Sequence, residues 1–144
     1  MDSSSNQLSF ATLTGTYPAT IIGSGAGANS DTLIATGSSH ASIVLDVLFR
    51  NTDASNARNF DIIICATGSN GNSLFNRVQI SVPANSGNNG TVSLASLAAL
   101  APSLFDLDLA GNRIITLENG ISIYVRNKVA LTADMIITTK QRNF

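Results

Sequence analysis

The sequence predicts an all-β protein, an antiparallel β-sandwich of jelly-roll or immunoglobulin-like type with about eight strands. Apolar residues recur with a period of two in several segments, which is typical of strands with one buried face. Clusters of Gly, Asn, Ser and Pro interrupt these segments about every ten residues, as in sandwiches. No long amphipathic helices alternate with the strands, so a parallel βαβ sheet is excluded. The chain has one Cys and no Trp, and therefore lacks the hallmarks of true immunoglobulin domains.

We expect residues 1–30 to form an extended or irregular N-terminal lead and residues 31–144 to form a single β-sandwich domain. Within the lead, residues 8–14 have the pattern of a short strand, and the glycine-rich segment "IIGSGAGANSD" predicts an irregular connection. The first strand of the domain is predicted at residues 32–37. At 144 residues the chain suits one domain that buries a sizeable core.

The clearest strand is predicted at residues 41–51. Its period of two places Ile43, Leu45, Val47 and Phe49 on one face. Residues 58–67 are apolar on both faces, which is typical of a strand in the middle of a covered sheet or of a subunit contact.

Residues 77–82 alternate cleanly, and Pro83 ends the strand because proline cannot donate to a ladder. Its inward residues are Val78, Ile80 and Val82, and its outward residues are Arg77, Gln79 and Ser81.

Residues 91–94 are expected to begin the next strand, after the turn "NSGNNG". One short helix is predicted near residues 95–104, where Ala and Leu predominate and Pro102 limits its length. Three strands follow at residues 112–117, 121–127 and 131–140. The Asn119-Gly120 pair predicts a β-hairpin between the first two of them.

Composition and charge exclude several classes of function. Charged residues make up 12% of the chain, about half of what is usual in soluble domains. The net charge is −1, and no run of Lys or Arg is present to bind nucleic acid through its phosphates. No apolar segment approaches the roughly 20 residues that cross a membrane, and the first residues do not resemble a secretory signal. We therefore expect a soluble protein made in a reducing cytosol, with part of its weakly charged surface covered by a partner.

No residue is predicted to be catalytic, to bind a cofactor or to bind a metal. Cys65 lies in an apolar run and is expected to pack as a small hydrophobe. A Ser-His-Asp arrangement would have to use His40, the only histidine, but no G-x-S-x-G motif presents a nucleophile. Asp106 and Asp108 resemble a calcium loop only faintly, since no closing Glu stands at the required spacing. The sequence does not predict an enzyme.

Three segments are similar to small virion proteins of tailed bacteriophages: "LFRNTDASNARNFDIIIC", "RVQISVPANSGNNGTVSL" and "LAGNRIITLENGISIYVRNKVALTADMIITTK". The resemblance covers residues 44–140, about two-thirds of the chain. It implies a capsid cement (decoration) protein, a β-sandwich that is often trimeric and clamps neighbouring capsomers. The implied partners are the major capsid protein and further copies of this chain, with a trimer favoured. The implied location is the capsid surface, after synthesis in the host cytoplasm, and the resemblance brings no active site.

Contact candidates are apolar and aromatic residues of the lead and two residues of the C-terminal tail: Leu8, Phe10, Leu13 and Tyr17, and Arg142 and Phe144. Three alternatives remain. A receptor- or carbohydrate-binding head of a phage tail would use the Asn-rich loops at residues 70–72 and 85–89. A neck or tail component is the second alternative. A major coat subunit of a small jelly-roll virus is the third, and the lack of a basic arm argues against it.

Overall fold

The computed structural model describes residues 14–68 and 74–144. The strands are β1 (Thr14–Thr16), β2 (Ala19–Ile22), β3 (Asp31–Thr36), β4 (Ser42–Asn51), β5 (Arg58–Ala66), β6 (Leu74–Val82), β7 (Ala95–Ser96), β8 (Asp106–Leu107), β9 (Arg113–Leu117), β10 (Ile121–Asn127) and β11 (Met135–Asn143). A single turn of α-helix, α1 (Leu97–Leu100), is followed by a 3-10 turn (Pro102–Leu104). No helix in these two ranges is long and apolar enough to cross a membrane.

Two antiparallel sheets face each other. The larger sheet has seven strands in the order β1-β11-β4-β9-β8, with β2 also paired to β11 and β7 to β4. The smaller sheet has four strands in the order β3-β10-β5-β6. The series β2-β11-β4-β9 opposite β3-β10-β5-β6 is the strand order of a jelly roll. The predicted antiparallel sandwich is therefore confirmed, and of its two proposed types the structure has the jelly roll.

The core lies between the two sheets. Phe49 from the larger sheet and Phe60 from the smaller sheet stack with ring centroids 6.1 Å apart, and neither is exposed to solvent. Ile62 and Ile123 of the smaller sheet and Ile137 of the larger sheet are also completely buried. Burying each such side chain stabilises the fold by about 1.5–3 kcal/mol.

A β-bulge in β4 changes which residues face the core. Asp46 pairs with Lys140 and Val44 pairs with Gln141, which leaves Leu45 as an extra residue. Before the bulge the even-numbered residues are buried, and after it the odd-numbered ones are. The prediction that Ile43 and Leu45 share a face with Val47 and Phe49 is therefore wrong: Ile43 and Leu45 lie on the outer side.

The turn at Asn119-Gly120 forms, with the amide of Ile121 donating to the carbonyl of Glu118 at 3.0 Å and Gly120 at a φ of +84°. The predicted hairpin is nevertheless wrong. Strand β9 pairs with β4 in the larger sheet, whereas β10 pairs with β3 and β5 in the smaller one. The turn is a corner between two sheets because the apolar faces of both strands are directed into the space between them.

Most other element boundaries agree with the sequence. Strand β5 lies inside the smaller sheet with both faces buried, as predicted for residues 58–67. The short helix is confirmed, and the hydroxyl of Ser96 caps it by accepting from the amide of Ala99 at 3.4 Å. Residues 91–94, predicted to begin a strand, do not form one. Strand β11 begins at Met135 and continues to Asn143, so it is shifted relative to the predicted 131–140.

Within the predicted lead, strands β1 (residues 14–16) and β2 (residues 19–22) pair with β11. Residues 8–13 of the predicted short strand lie outside the described residues.

Candidate contact surface

On the outer face of the smaller sheet, the charged side chains form ion pairs with one another. Arg126 makes a bidentate ion pair with Asp31, at 2.6 and 2.9 Å, which raises the pKa of the guanidinium. Asp61 accepts from both Arg77 and Lys128. Burial opposes ionisation of Asp61, but its two cationic partners outweigh that effect and lower the pKa of the carboxyl.

In the middle of the same face, the side chains are buried. Ile63, Cys65 and Tyr124 form a small buried cluster, in which Cys65 has no exposed surface, as its apolar context predicts. The hydroxyl of Tyr124 accepts from the amide of Gly68 at 2.8 Å. This face therefore leaves few groups that would gain from a partner.

A further ion pair ties two loops together near the end of the sandwich. Asp53 accepts from the amides of Ser55 and Asn56, from Arg58 at 2.8 Å and from the hydroxyl of Thr132 at 3.0 Å. The hydrogen bond from the Ser55 amide is the main cause that lowers the pKa of this carboxyl, and Arg58 adds to it. We interpret this buried cluster as structural, because every carboxylate oxygen has a partner within the chain.

The four remaining cations, Arg50, Arg113, Lys140 and Arg142, lie on strands of the larger sheet. Among the described residues, none of them has a carboxylate oxygen within 4.0 Å. Arg50 instead donates to the side-chain oxygen of Asn88 at 3.1 Å. The cations with a carboxylate partner, by contrast, all lie on the smaller sheet or its connecting loops.

Apolar residues accompany these cations on the outer side of the larger sheet. Ile21 is 62% exposed, and its register partner Ile136 is half-buried. Leu48 and Leu45 on β4 are half-buried as well. We call this surface the contact face, made of Tyr17, Ile21, Leu45, Leu48, Arg50, Ile136, Lys140 and Arg142.

Tyr17 reaches the contact face through a continuous register. Thr16 pairs with Gln141 and Ala19 with Thr138, which places Tyr17 opposite Lys140. Its side chain is 70% exposed.

Two of the six predicted contact residues, Tyr17 and Arg142, therefore lie on the contact face. Phe144 follows the end of β11 and is 40% exposed. Its amide donates to the carbonyl of Ala41 at 3.1 Å and its carbonyl accepts from the hydroxyl of Ser38 at 3.2 Å, so the last residue is held in place. Leu8, Phe10 and Leu13 lie outside the described residues.

The strand residues of the contact face, such as Ile21 and Ile136, were not predicted from the sequence. One signal could have indicated them: β4 and β11 carry apolar residues on both faces, although only one face of a sandwich sheet packs in the core.

The residues considered for chemistry do not form a reactive cluster among residues 14–68 and 74–144. His40 is exposed in a turn, while Asp31 binds Arg126 and Asp46 binds Ser96 and the amide of Ala98. No group of three or more potential metal ligands is present in these ranges.

Asp108 stabilises its own turn rather than presenting an open site. Its carboxylate accepts from the amides of Asn112 at 2.8 Å and Ala110 at 2.9 Å. These hydrogen bonds, that from Asn112 foremost, lower the pKa of the carboxyl. Asp106, two residues earlier in the chain, is exposed to solvent.

In the Asn-rich loop at residues 85–89, asparagine side chains also form hydrogen bonds with other residues of the chain. Asn85 donates to the carbonyl of Ala54 at 3.3 Å, and the side-chain oxygen of Asn89 accepts from the amides of Thr91 and Val92. Residues 70–72 of the other predicted sugar-binding loop lie outside the described residues.

No family model and no curated protein matches the chain. Among solved structures, the chain is similar to a chain of the cyanophage Pam1 capsid asymmetric unit, with 13% sequence identity and a TM-score of 0.45. The similarity covers 92% of this chain and 86% of that chain. A similarity at this level carries no functional conclusion.

Proposed function

We propose that this protein is a structural virion component, a capsid cement (decoration) protein that binds the outside of a phage head. In this proposal the contact face lies against the major capsid protein and bridges neighbouring capsid subunits. The observation that supports it is the difference between the two outer faces of the sandwich. One face pairs its charges within the chain, whereas the other presents cations and half-buried aliphatic side chains.

A face of this composition suits a protein partner with carboxylates and apolar side chains. Charged groups of opposite sign orient the two partners, and buried apolar area supplies most of the affinity. A specific interface needs about 1,000 Å² or more of total buried area. The larger sheet is about four strands wide beside the short β8, because β1 and β2 both pair with one edge of β11 and β7 and β9 both pair with one edge of β4. With strands about 4.8 Å apart and β11 roughly 30 Å long, its outer side is broad enough to supply one partner's share.

The fold and the sequence resemblance point in the same direction. Jelly rolls are used by viral capsid and lectin domains, and fold alone does not choose between them. The side-chain amide of Asn85 donates to Ala54 in a neighbouring loop, and the side-chain oxygen of Asn89 accepts from Thr91, which does not favour the carbohydrate-binding alternative. The proposal extends to a homo-oligomer, with a trimer favoured, since several weak contacts act together when copies are linked.

Co-sedimentation with capsid shells that lack this protein tests the proposal. Wild-type protein should sediment with the shells, and this binding should weaken as the salt concentration rises, because exposed charges are screened. The double variant Arg50→Glu/Arg142→Glu should lose most of the binding. Ser81→Glu is the control for added negative charge as such, because it places one at an exposed position on the smaller sheet.

Absence of shell binding by folded wild-type protein would contradict the proposal, and so would equal loss of binding in the Ser81 control. A glycan array provides the complementary measurement, since a cement protein should bind no sugar. Binding to a specific glycan would instead favour the receptor-binding alternative.

A further inference from the structure

The hairpin formed by β8 and β9 carries an exposed apolar tip. Leu107 is 69% exposed and Leu109 has the full exposure of a free side chain. Single exposed leucines are common on proteins. Here two of them project from one short hairpin, and we call this pair the knob.

The knob is held rigidly although no described residue covers it. Within the turn, the amide of Asp108 donates to the carbonyl of Asn112 at 2.9 Å, and the amide of Gly111 donates to the carbonyl of Asp108 at 3.0 Å. The carboxylate of Asp108 accepts two more backbone amides. Gly111 has a φ of +84°, a conformation that suits glycine. A preorganised apolar group loses little conformational entropy when it binds.

An apolar cleft lies at the side of the sandwich, near the other end of β9. The described residues that line it are Ile64 and Ile121 of the smaller sheet and Thr116 and Glu118 at the edge of the larger one. Residues 115–117 of β9 pair with β4, whereas β8 reaches only residues 113 and 114. Among the described residues, this edge of β9 therefore has no strand beside the cleft.

Knob and cleft cannot meet within one chain. Arg113 adjoins the knob and Glu118 lies on the rim of the cleft, and the five residue steps between them along the strand span roughly 17 Å. Both side chains are exposed and have opposite charges, and neither has an ion-pair partner among the described residues. One end of β9 thus carries an exposed apolar pair beside a positive charge, and the other end carries an apolar cleft beside a negative charge.

We infer that the occupant of the cleft is the knob of a second copy of this chain, with Arg113 of one copy next to Glu118 of the other. Such a contact is head-to-tail, because each copy uses two different surfaces. A head-to-tail contact closes into a ring when the rotation between copies permits it. The inference rests on the proposed homo-oligomer and specifies which surfaces join its copies.

Sedimentation equilibrium of the full chain over a range of concentrations tests this contact. Wild-type protein should associate, and Leu109→Ser should weaken the association constant by about tenfold or more, because full burial of one leucine corresponds to at least that factor. Leu33→Ser is the matched control, since Leu33 is 45% exposed on the outer face of the smaller sheet. It should leave association unchanged.

Charge reversal provides a second test, and recovery of association in a double variant cannot be explained by loss of folding. Arg113→Glu and Glu118→Arg should each weaken association, and the double variant Arg113→Glu/Glu118→Arg should restore it. A wild-type chain that stays monomeric at every concentration overturns the inference, as does a double variant no better than the single ones.

Shell co-sedimentation of the same variants separates the two proposals. If the knob contact is wrong but the function is right, Leu109→Ser associates like wild type and all variants bind shells. If the function is wrong, the variants change association as expected and wild-type protein does not bind shells.

Discussion

Replacement of Gly37 by alanine should destabilise the fold strongly. A Cβ at this position would lie 2.0 Å from the carbonyl oxygen of Glu118 and 2.7 Å from that of Leu117. Cβ contacts under 3.0 Å essentially do not occur, so the two backbones would have to separate by about 1 Å. Gly37 does not have a positive φ, so this close approach is the sole reason for glycine here.

The cost can be estimated from two contributions. Overpacking of this kind costs about 1–3 kcal/mol. The separation also strains the hydrogen bond from the amide of Gly37 to the carbonyl of Ile121, now 2.9 Å long and worth about 0.5–1.5 kcal/mol. We expect the free energy of unfolding to fall by about 2–4 kcal/mol, a large part of the stability of a typical domain.

Urea unfolding of Gly37→Ala and Gly23→Ala measures this difference. Gly23 is the matched control, because an added Cβ there meets nothing within 4 Å and its φ is not positive. Gly23→Ala should be neutral or stabilise by up to about 1 kcal/mol through the unfolded state. If the two variants unfold within about 0.5 kcal/mol of each other, the close approach at Gly37 does not exist as described.

Three other predictions concern carboxylates and the single histidine. Asp46→Ala should lower the free energy of unfolding, measured in urea, by about 1–3 kcal/mol. The reason is that Asp46 joins β4 to α1 by accepting from the amide of Ala98 at 3.1 Å and from the hydroxyl of Ser96 at 2.6 Å. An unchanged free energy of unfolding would refute this role. The pKa values of Asp53, Asp61 and Asp108 are lowered in the folded state, so the stabilisation they provide is complete above about pH 4 and is lost as the pH falls towards their folded pKa values. Thermal unfolding between pH 6 and pH 2 checks this, and a melting temperature that rises on acidification would contradict it. His40→Gln should leave stability and shell binding unchanged, since His40 is exposed in a turn; a marked loss of either by the same assays would assign it a role that the structure does not show.

The local pattern of the sequence was sufficient to predict the sandwich. Strand β5 is apolar on both faces and buried on both, since Ile63 and Cys65 pack with Tyr124 on its outer side. Strand β6 alternates because its outer face is exposed. The turn at Asn119-Gly120 was also correctly placed. Periodicity reports which side of a strand avoids water, and turn residues report where the backbone needs a positive φ.

Only part of the surface that we propose as the contact face was suggested by the sequence. Tyr17 and Arg142 were chosen because they lie near the ends of the chain, whereas Ile21 and Ile136 belong to the same surface through the pairing of β2 with β11. That pairing joins residues more than 100 positions apart. Which cations remain without a carboxylate partner depends in the same way on long-range contacts.

Sequence alone was thus enough for the fold class and the main strands. Three features depended on the folded chain: the bulge at Leu45, the passage from β9 to β10 between sheets, and the close approach at Gly37. A bulge shifts the parity of every later residue in its strand, and the partner of a strand end is chosen by packing across the core. Neither effect can be predicted from the spacing of neighbouring residues, because both result from contacts between segments that are distant in sequence.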